Sequence, residues 1–199
     1  MLFRLSLVAP AFALAVTACA SAPAASPVSA FEAALQPLCG QAFEGRIVTT
    51  DSQDDLWRTE RLVMHVRGCE PGLVEIPLHV GENRSRTWVL MQVGEAWELR
   101  HDHRHEDGEP DVLTMYGGFA VTPPDALRQE FPADEATKAL FDAEGIPVSK
   151  ANVWAVEIDP SANFFAYELK RPERFLRVEF DTTRPVAPPP APWGWPPLN

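Results

Sequence analysis

The chain is poor in positive charge, and what it has is almost all arginine. Of its 17 basic residues only Lys138, Lys150 and Lys170 are lysine, a bias we assign to codon composition rather than function. Set against 28 acidic residues this leaves a formal net charge of −11. A surface without a surplus of cations excludes phosphate-backbone recognition as its main business, so nucleic acid and anionic lipid are not expected as partners. No apolar run is long enough to cross a bilayer, because the one at the N-terminus covers only about a dozen residues. GxSxG, HExxH and the phosphate-cradling P-loop are all missing, and nothing singles out a nucleophile for a hydrolytic triad. An enzyme is therefore the less favoured class. There is no internal repeat.

What is present begins with the first nineteen residues, MLFRLSLVAPAFALAVTAC. One basic residue, Arg4, an apolar run and then small residues make an export signal. Val16, Thr17, Ala18 and Cys19 resemble the lipobox of bacterial lipoproteins, which implies cleavage before Cys19, lipidation of its thiol and a membrane anchor. Ordinary cleavage after a small residue near Ala20 or Ala22 is the alternative. In the lipoprotein family Ala20 after the cysteine goes with outer-membrane sorting, so the resemblance implies a protein facing the periplasm. Removing residues 1–18 takes away Arg4 and no acid, moving the net charge from −11 to −12.

Of the three cysteines, Cys39 and Cys69 then remain, and in an exported chain two cysteines most simply pair. Cys39 precedes the strand-like FEGRIV, and Cys69 ends the strand-like RLVMHVRGC. Antiparallel pairing of these segments would bring the two thiols together.

Residues 19–28 form a small-residue and proline tether. From residue 185 to 199 the chain reads PVAPPPAPWGWPPLN, a proline-rich tail suited to polyproline II and expected to be mobile, although Trp193 and Trp195 offer a means of docking. The intervening span, 29–184, suits one domain. Ser29 followed by Glu32, with Phe31, Leu35 and Leu38 at helical spacing, predicts a capped short helix ending near Pro37. A second helix is predicted from Asp134 to Glu144, stopped by Gly145.

Nearly everything else alternates with period two: Leu62, Met64 and Val66, then Val74, Ile76, Leu78 and Val80. Further strands are predicted at RTWVLMQV, AWELRHDHRHE, DVLTMYGGFAV, NVWAVEI, FFAYELKR and RFLRVEF. Some eight to ten antiparallel strands with two short helices predict an all-β fold, a barrel or closed sandwich. The architecture resembles that of lipocalin-like barrels. The N-terminal GxW of that family is missing, and FEGR stands where it would be expected.

The stretch WELRHDHRHEDG, 97–108, holds three of the five histidines at alternate positions. Trp97, Leu99, His101, His103 and His105 share one strand face; Glu98, Arg100, Asp102, Arg104 and Glu106 share the other, which reads as a solvated exterior. The histidines are therefore expected to point inward. A two-residue turn at Gly94-Glu95 pairs Leu90 with Leu99, Trp88 with His101 and Arg86 with His103. A four-residue DGEP loop would set Tyr116 opposite His101 and Thr114 opposite His103. The expected pocket is thus Arg86, Trp88, His101, His103, His105, Thr114 and Tyr116.

Three functions fit such a pocket. In the first, the barrel binds a small anionic or amphipathic ligand through Arg86, with the tryptophans and Leu90 as apolar body and no cofactor. In the second, His101, His103 and His105 bind zinc or another transition metal. Cupins use HxH in this way, but the glutamate expected after their second histidine is out of place here and no histidine follows His105. In the third, the histidines are hydrogen-bonded rim residues of a structural or interaction module of the cell envelope, its protein partner unknown. The HDHRHEDG and YGG segments bear a faint similarity to uncharacterised bacterial secreted proteins, which implies no activity.

Overall fold

A computed structural model describes residues 28–198. The expected signal peptide, Cys19 and the expected tether up to residue 27 lie outside the described residues. Among the described residues the protein is an all-β barrel of lipocalin-like architecture. Eleven antiparallel strands run in chain order: β1 (Ala42–Ile47), β2 (Leu62–His65), β3 (Gly68–Glu70), β4 (Leu73–Val80), β5 (Asn83–Val93), β6 (Ala96–His103), β7 (Tyr116–Phe119), β8 (Arg128–Pro132), β9 (Val153–Asp159), β10 (Phe164–Arg171) and β11 (Arg174–Val186). They form one sheet in the order β7-β6-β5-β4-β2-β1-β11-β10-β9-β8, with β3 beside β4. Three short helices accompany it: α1 (Ala30–Leu35), α2 (Asp55–Arg58) and α3 (Glu135–Ala143).

Alternation drives the fold. Leu62, Met64, Ile76, Leu78, Trp88, Leu90, Trp97, Leu99, Trp154, Val156, Phe165, Tyr167, Val178 and Phe180 are all buried on the inner face. Strand period two places each of them inward while the residues between point out. Ser29 caps α1 as expected, its Oγ accepting from the Glu32 N–H at 3.1 Å. Glu32 does not reach back to complete the capping pair. Its Oε1 accepts from the Gly72 N–H at 3.0 Å, tying the helix to the turn before β4. With Phe31 edge-on to Trp97, ring centroids 5.3 Å apart, α1 plugs the barrel end formed by the Gly72 and Gly94 turns.

The sheet is nearly closed. Its end strands, β7 and β8, meet through the Val121 N–H to the Glu130 carbonyl at 2.9 Å and the Asp134 N–H to the Gly117 carbonyl at 3.0 Å. Such an approach needs glycine. A Cβ on Gly118 would stand 2.0 Å from the Pro132 carbonyl oxygen, inside any tolerable contact.

Several details differ from the sequence reading. Strand β8 and helix α2 were not anticipated, β2 and β3 are separate where one strand was expected, and β7 is only Tyr116–Phe119. Short elements carry too few periods for alternation to register. The tail is not free. Trp195 donates from Nε1 to Asp102 at 3.0 Å, the Trp193 N–H bonds to the Arg84 carbonyl at 3.1 Å, and Pro192 is buried.

Cys39 and Cys69 are disulfide-bonded across a separation of 30 residues. Replacing both with serine should lower unfolding free energy by about 3–4 kcal/mol, the chain entropy released by opening a loop of that length. Urea titration of the variant and of the oxidised parent measures the difference.

Candidate functional site

The end of the barrel opposite α1 holds a cavity of about 340 Å³. Its floor is Trp88, His101, Trp154 and Tyr167, one wall is Arg86, His103 and Tyr116, and residues Gln53, Asp54, Trp57 and Arg174 come over the mouth. The β5–β6 register sets the wall: Arg86 pairs with His103, Trp88 with His101 and Leu90 with Leu99. The turn at Gly94, with φ of 64°, makes that register tight. On the far side of β6, Tyr116 pairs with His101.

Five of the seven residues expected from sequence, Arg86, Trp88, His101, His103 and Tyr116, therefore line this one cavity. His105 and Thr114 do not. After His103 the strand ends, Arg104 bridges to Pro110, and His105 starts an exposed turn in which its N–H bonds to the Glu109 carbonyl at 2.9 Å. The loop is thus tighter than DGEP, and the surplus residues bulge out between Asp111 and Met115 before β7. Thr114 sits behind the wall, its Oγ1 accepting from the His103 N–H at 2.8 Å.

Floor and wall form one hydrogen-bonded aromatic network. His101 Nδ1 lies 3.1 Å from the Tyr116 carbonyl oxygen and Nε2 lies 2.7 Å from the Tyr167 hydroxyl. A carbonyl only accepts, so Nδ1 carries the proton and Nε2 accepts from Tyr167. The ring is neutral and fully satisfied. It stacks on Tyr116 with centroids 4.6 Å apart, while Tyr167 stacks on Trp88 at 4.2 Å. Burial pushes the His101 pKa down to about 3, reinforced by His103, against the opposing bond to the Tyr116 carbonyl. His103 is pushed down to about 4 by burial and then by the Arg86 cation, with its Nε2 3.2 Å from the Tyr116 hydroxyl. Burial raises the Tyr116 and Tyr167 hydroxyls, so both stay protonated.

Arg86 is the charged member. Its Nη1 donates to Asn83 Oδ1 at 3.1 Å and Ser85 Oγ at 3.0 Å, and its guanidinium carbon lies 4.9 Å from the centre of the Trp57 ring. All these partners are neutral, and among the described residues no carboxylate pairs with it. The neighbouring arginine is arranged otherwise. Arg174 is held by Asp54 through both terminal nitrogens and by Asp51 at 3.0 Å.

For a metal the geometry is poor. Both His101 nitrogens are engaged, His105 faces solvent, and among the described residues no group of three or more His, Cys, Asp or Glu side chains converges. The other face of β6 also departs from the solvated exterior expected. Arg100 bonds to Glu98 Oε1 and to Asp134 Oδ2, each at 2.5 Å, beneath α3, and Asp102 is covered by Trp195. Trp57, Asp54, Trp154, Tyr167 and Arg174 escaped the sequence reading. Trp154 and Tyr167 sit on strands read correctly as strands, but only barrel closure puts them opposite β6.

The histidines make an acid limit. His79, His101 and His103 all have folded pKa values depressed to about 4 or below. Between those values and the unfolded value near 6.5 the unfolded chain binds more protons. Stability from these groups is complete above about pH 6.5 and should fall as the pH drops towards about 4, levelling off once the folded values are passed. Melting temperature from pH 8 to 3.5 should follow that course, and His103→Gln should flatten it.

Comparison with protein-family models, with curated proteins and with solved structures finds no match to this chain, so the site's chemistry has to speak for its function.

Proposed function

We propose that this protein is an exported envelope lipoprotein, anchored through Cys19 in the outer membrane and facing the periplasm, whose barrel binds a small anionic, amphipathic ligand. One observation carries the ligand reading: Arg86 holds its charge at the cavity wall among neutral oxygens and an aromatic face, without a carboxylate among the described residues. A partly buried guanidinium is costly unless an anion compensates it, and its fork suits a carboxylate or phosphate. The neutral His103 and the hydroxyl of Tyr116 beside it add hydrogen-bond capacity without competing charge. Trp57, Trp88 and Trp154 supply an apolar body for a flat or short-chain ligand. A volume of about 340 Å³ stands at the small end for ligand pockets, which favours a compact acid over a long-chain one.

The anchor rests on VTAC at the end of the apolar run. It is compatible with the barrel's orientation. The described chain begins at Val28, just before α1 at the closed end, so the cavity mouth would point away from the membrane.

Isothermal titration with octanoate, 1-naphthoate and phenyl phosphate tests the binding. At least one should bind, and Arg86→Gln should weaken it roughly 10- to 100-fold, the loss of a hydrogen bond to a charged group. No binding of any of the three, or binding indifferent to Arg86→Gln, overturns the reading. The anchor is tested by Cys19→Ser, which should move the protein from the membrane to the soluble fraction; wild-type protein lacking an attached lipid mass would refute it.

A further inference from the structure

Arg86 presents one particular edge of its guanidinium to the cavity. Its Nη1 carries two hydrogens and both are taken, one by Asn83 Oδ1 at 3.1 Å and one by Ser85 Oγ at 3.0 Å. These acceptors are themselves fixed, because Asn83 Oδ1 also accepts from the Ser85 N–H at 3.0 Å and from the Ser85 hydroxyl at 2.6 Å. Commitment of Nη1 closes the end-on fork, which needs both terminal nitrogens. What remains is the side edge, Nε–H and Nη2–H, two parallel donors that match the two oxygens of one carboxylate. Among the described residues neither of these nitrogens donates to a protein acceptor. Trp57 covers the guanidinium with its ring face, a contact that uses none of the N–H groups.

The charges around the cavity suit a single negative charge. Arg174, the other cation lining it, is bound by two carboxylates, Asp54 through both terminal nitrogens and Asp51 at 3.0 Å, so this group carries one more negative charge than positive. His103, which could gain a proton to help a second charge, is pushed down to about 4 by burial and then by Arg86. A monoanion is compensated by Arg86. The second charge of a dianion would find no cation of its own and would meet the Asp54 carboxylate. The body of the cavity is built from rings: Trp88 and Tyr167 stack with planes 16° apart, His101 and Tyr116 with planes 15° apart, and Trp154 lies 5.0 Å from His101. Such walls meet a flat ring by offset stacking, and a ring brings no flexible chain that binding must order.

We propose that the cavity is specific for a planar aromatic monocarboxylate, its two oxygens on Nε and Nη2 of Arg86 and its ring against the aromatic floor, and that Asn83 and Ser85 are the positioning residues that fix this choice by holding Nη1. The inference rests on the anionic-ligand reading above and narrows it. Asn83 and Ser85 do not touch the ligand; they decide which donors Arg86 has left to offer.

Isothermal titration of the full chain, prepared without lipid and held at about pH 8, tests the choice with three probes. 1-Naphthoate should bind about tenfold more tightly than 1-naphthyl phosphate, which shares its ring but carries close to two charges, and about tenfold more tightly than octanoate, which shares its carboxylate but not its ring. A margin below about threefold over either competitor overturns the proposal and leaves the anionic reading standing, whereas no binding of any probe overturns both. Replacing Asn83 and Ser85 together with alanine frees Nη1 and opens the end-on fork, so the margin over the phosphate should shrink at least about threefold. An unchanged margin would refute the positioning role. Asn83→Asp is the second variant, because it keeps the same three acceptor bonds but sets a carboxylate on Arg86. It should weaken 1-naphthoate at least about tenfold, and an unchanged affinity overturns the assignment of the carboxylate to the Arg86 edge. Matching near-ultraviolet circular dichroism spectra confirm that folded chains are being compared.

Discussion

Closure of the barrel at β7 and β8 is the constraint on which the rest depends. Gly118 makes it possible, and Thr137 of α3 locks it, its Oγ1 accepting from the Gly117 N–H at 2.8 Å and donating to the Gly117 carbonyl at 2.9 Å. Asp134 completes the joint by capping α3 and binding Arg100. Tyr116 is the residue just before this joint. Its carbonyl sets the tautomer of His101, its ring stacks on that imidazole, and its hydroxyl meets His103. Were the seam open, the histidine face of β6 would look onto water rather than onto Trp154 and Tyr167 across the barrel.

The closed barrel sorts charge in an unusual way for so acidic a chain. Carboxylates other than Asp54, which Arg174 holds at the cavity mouth, are kept outside, in networks such as Arg128, Glu168, Arg177 and Glu157, where Arg128 bonds to Glu168 at 2.7 Å and Arg177 binds both acids. These partly exposed pairs contribute modestly to stability. Inside the cavity the imidazoles are neutral, the phenols protonated, and Arg86 is the cation left among neutral partners. Desolvation produces this arrangement by removing the charge of each group able to lose it. Arginine cannot lose its own at any ordinary pH, which makes it the natural focus for an incoming anion.

The outer surface is divided in function rather than uniformly wet. On one part of β6, α3 covers Arg100 and its two acids; on the next, the tail covers Asp102 and its neighbours. On both faces β6 is thus largely covered, and it is the strand that carries His101 and His103. The cavity wall is thereby supported from behind by the same contacts that seat the tail.

Local chemistry determined much of this protein from the sequence alone. Alternation identified the strands that line the core, Ser29 and Asp134 marked two helix starts, the strand ends they occupy paired Cys39 with Cys69, and a glycine-first turn set the register that places Arg86 beside His103. Each is a matter of neighbours a few residues apart, or of one hairpin. Where that locality failed, the reading failed with it: β7 keeps the expected register, Tyr116 opposite His101, but a tight turn after Arg104 and a bulge between Asp111 and Met115 take His105 and Thr114 out of the pocket. Only the tertiary structure decided what stands opposite β6, that Trp57 caps Arg86, that Asp54 claims Arg174, and that the proline-rich tail lies against the barrel. Those contacts join residues up to 129 positions apart, as Arg67 and Pro196 are, and no local spacing encodes them. They arise when the sheet curls and its two ends meet.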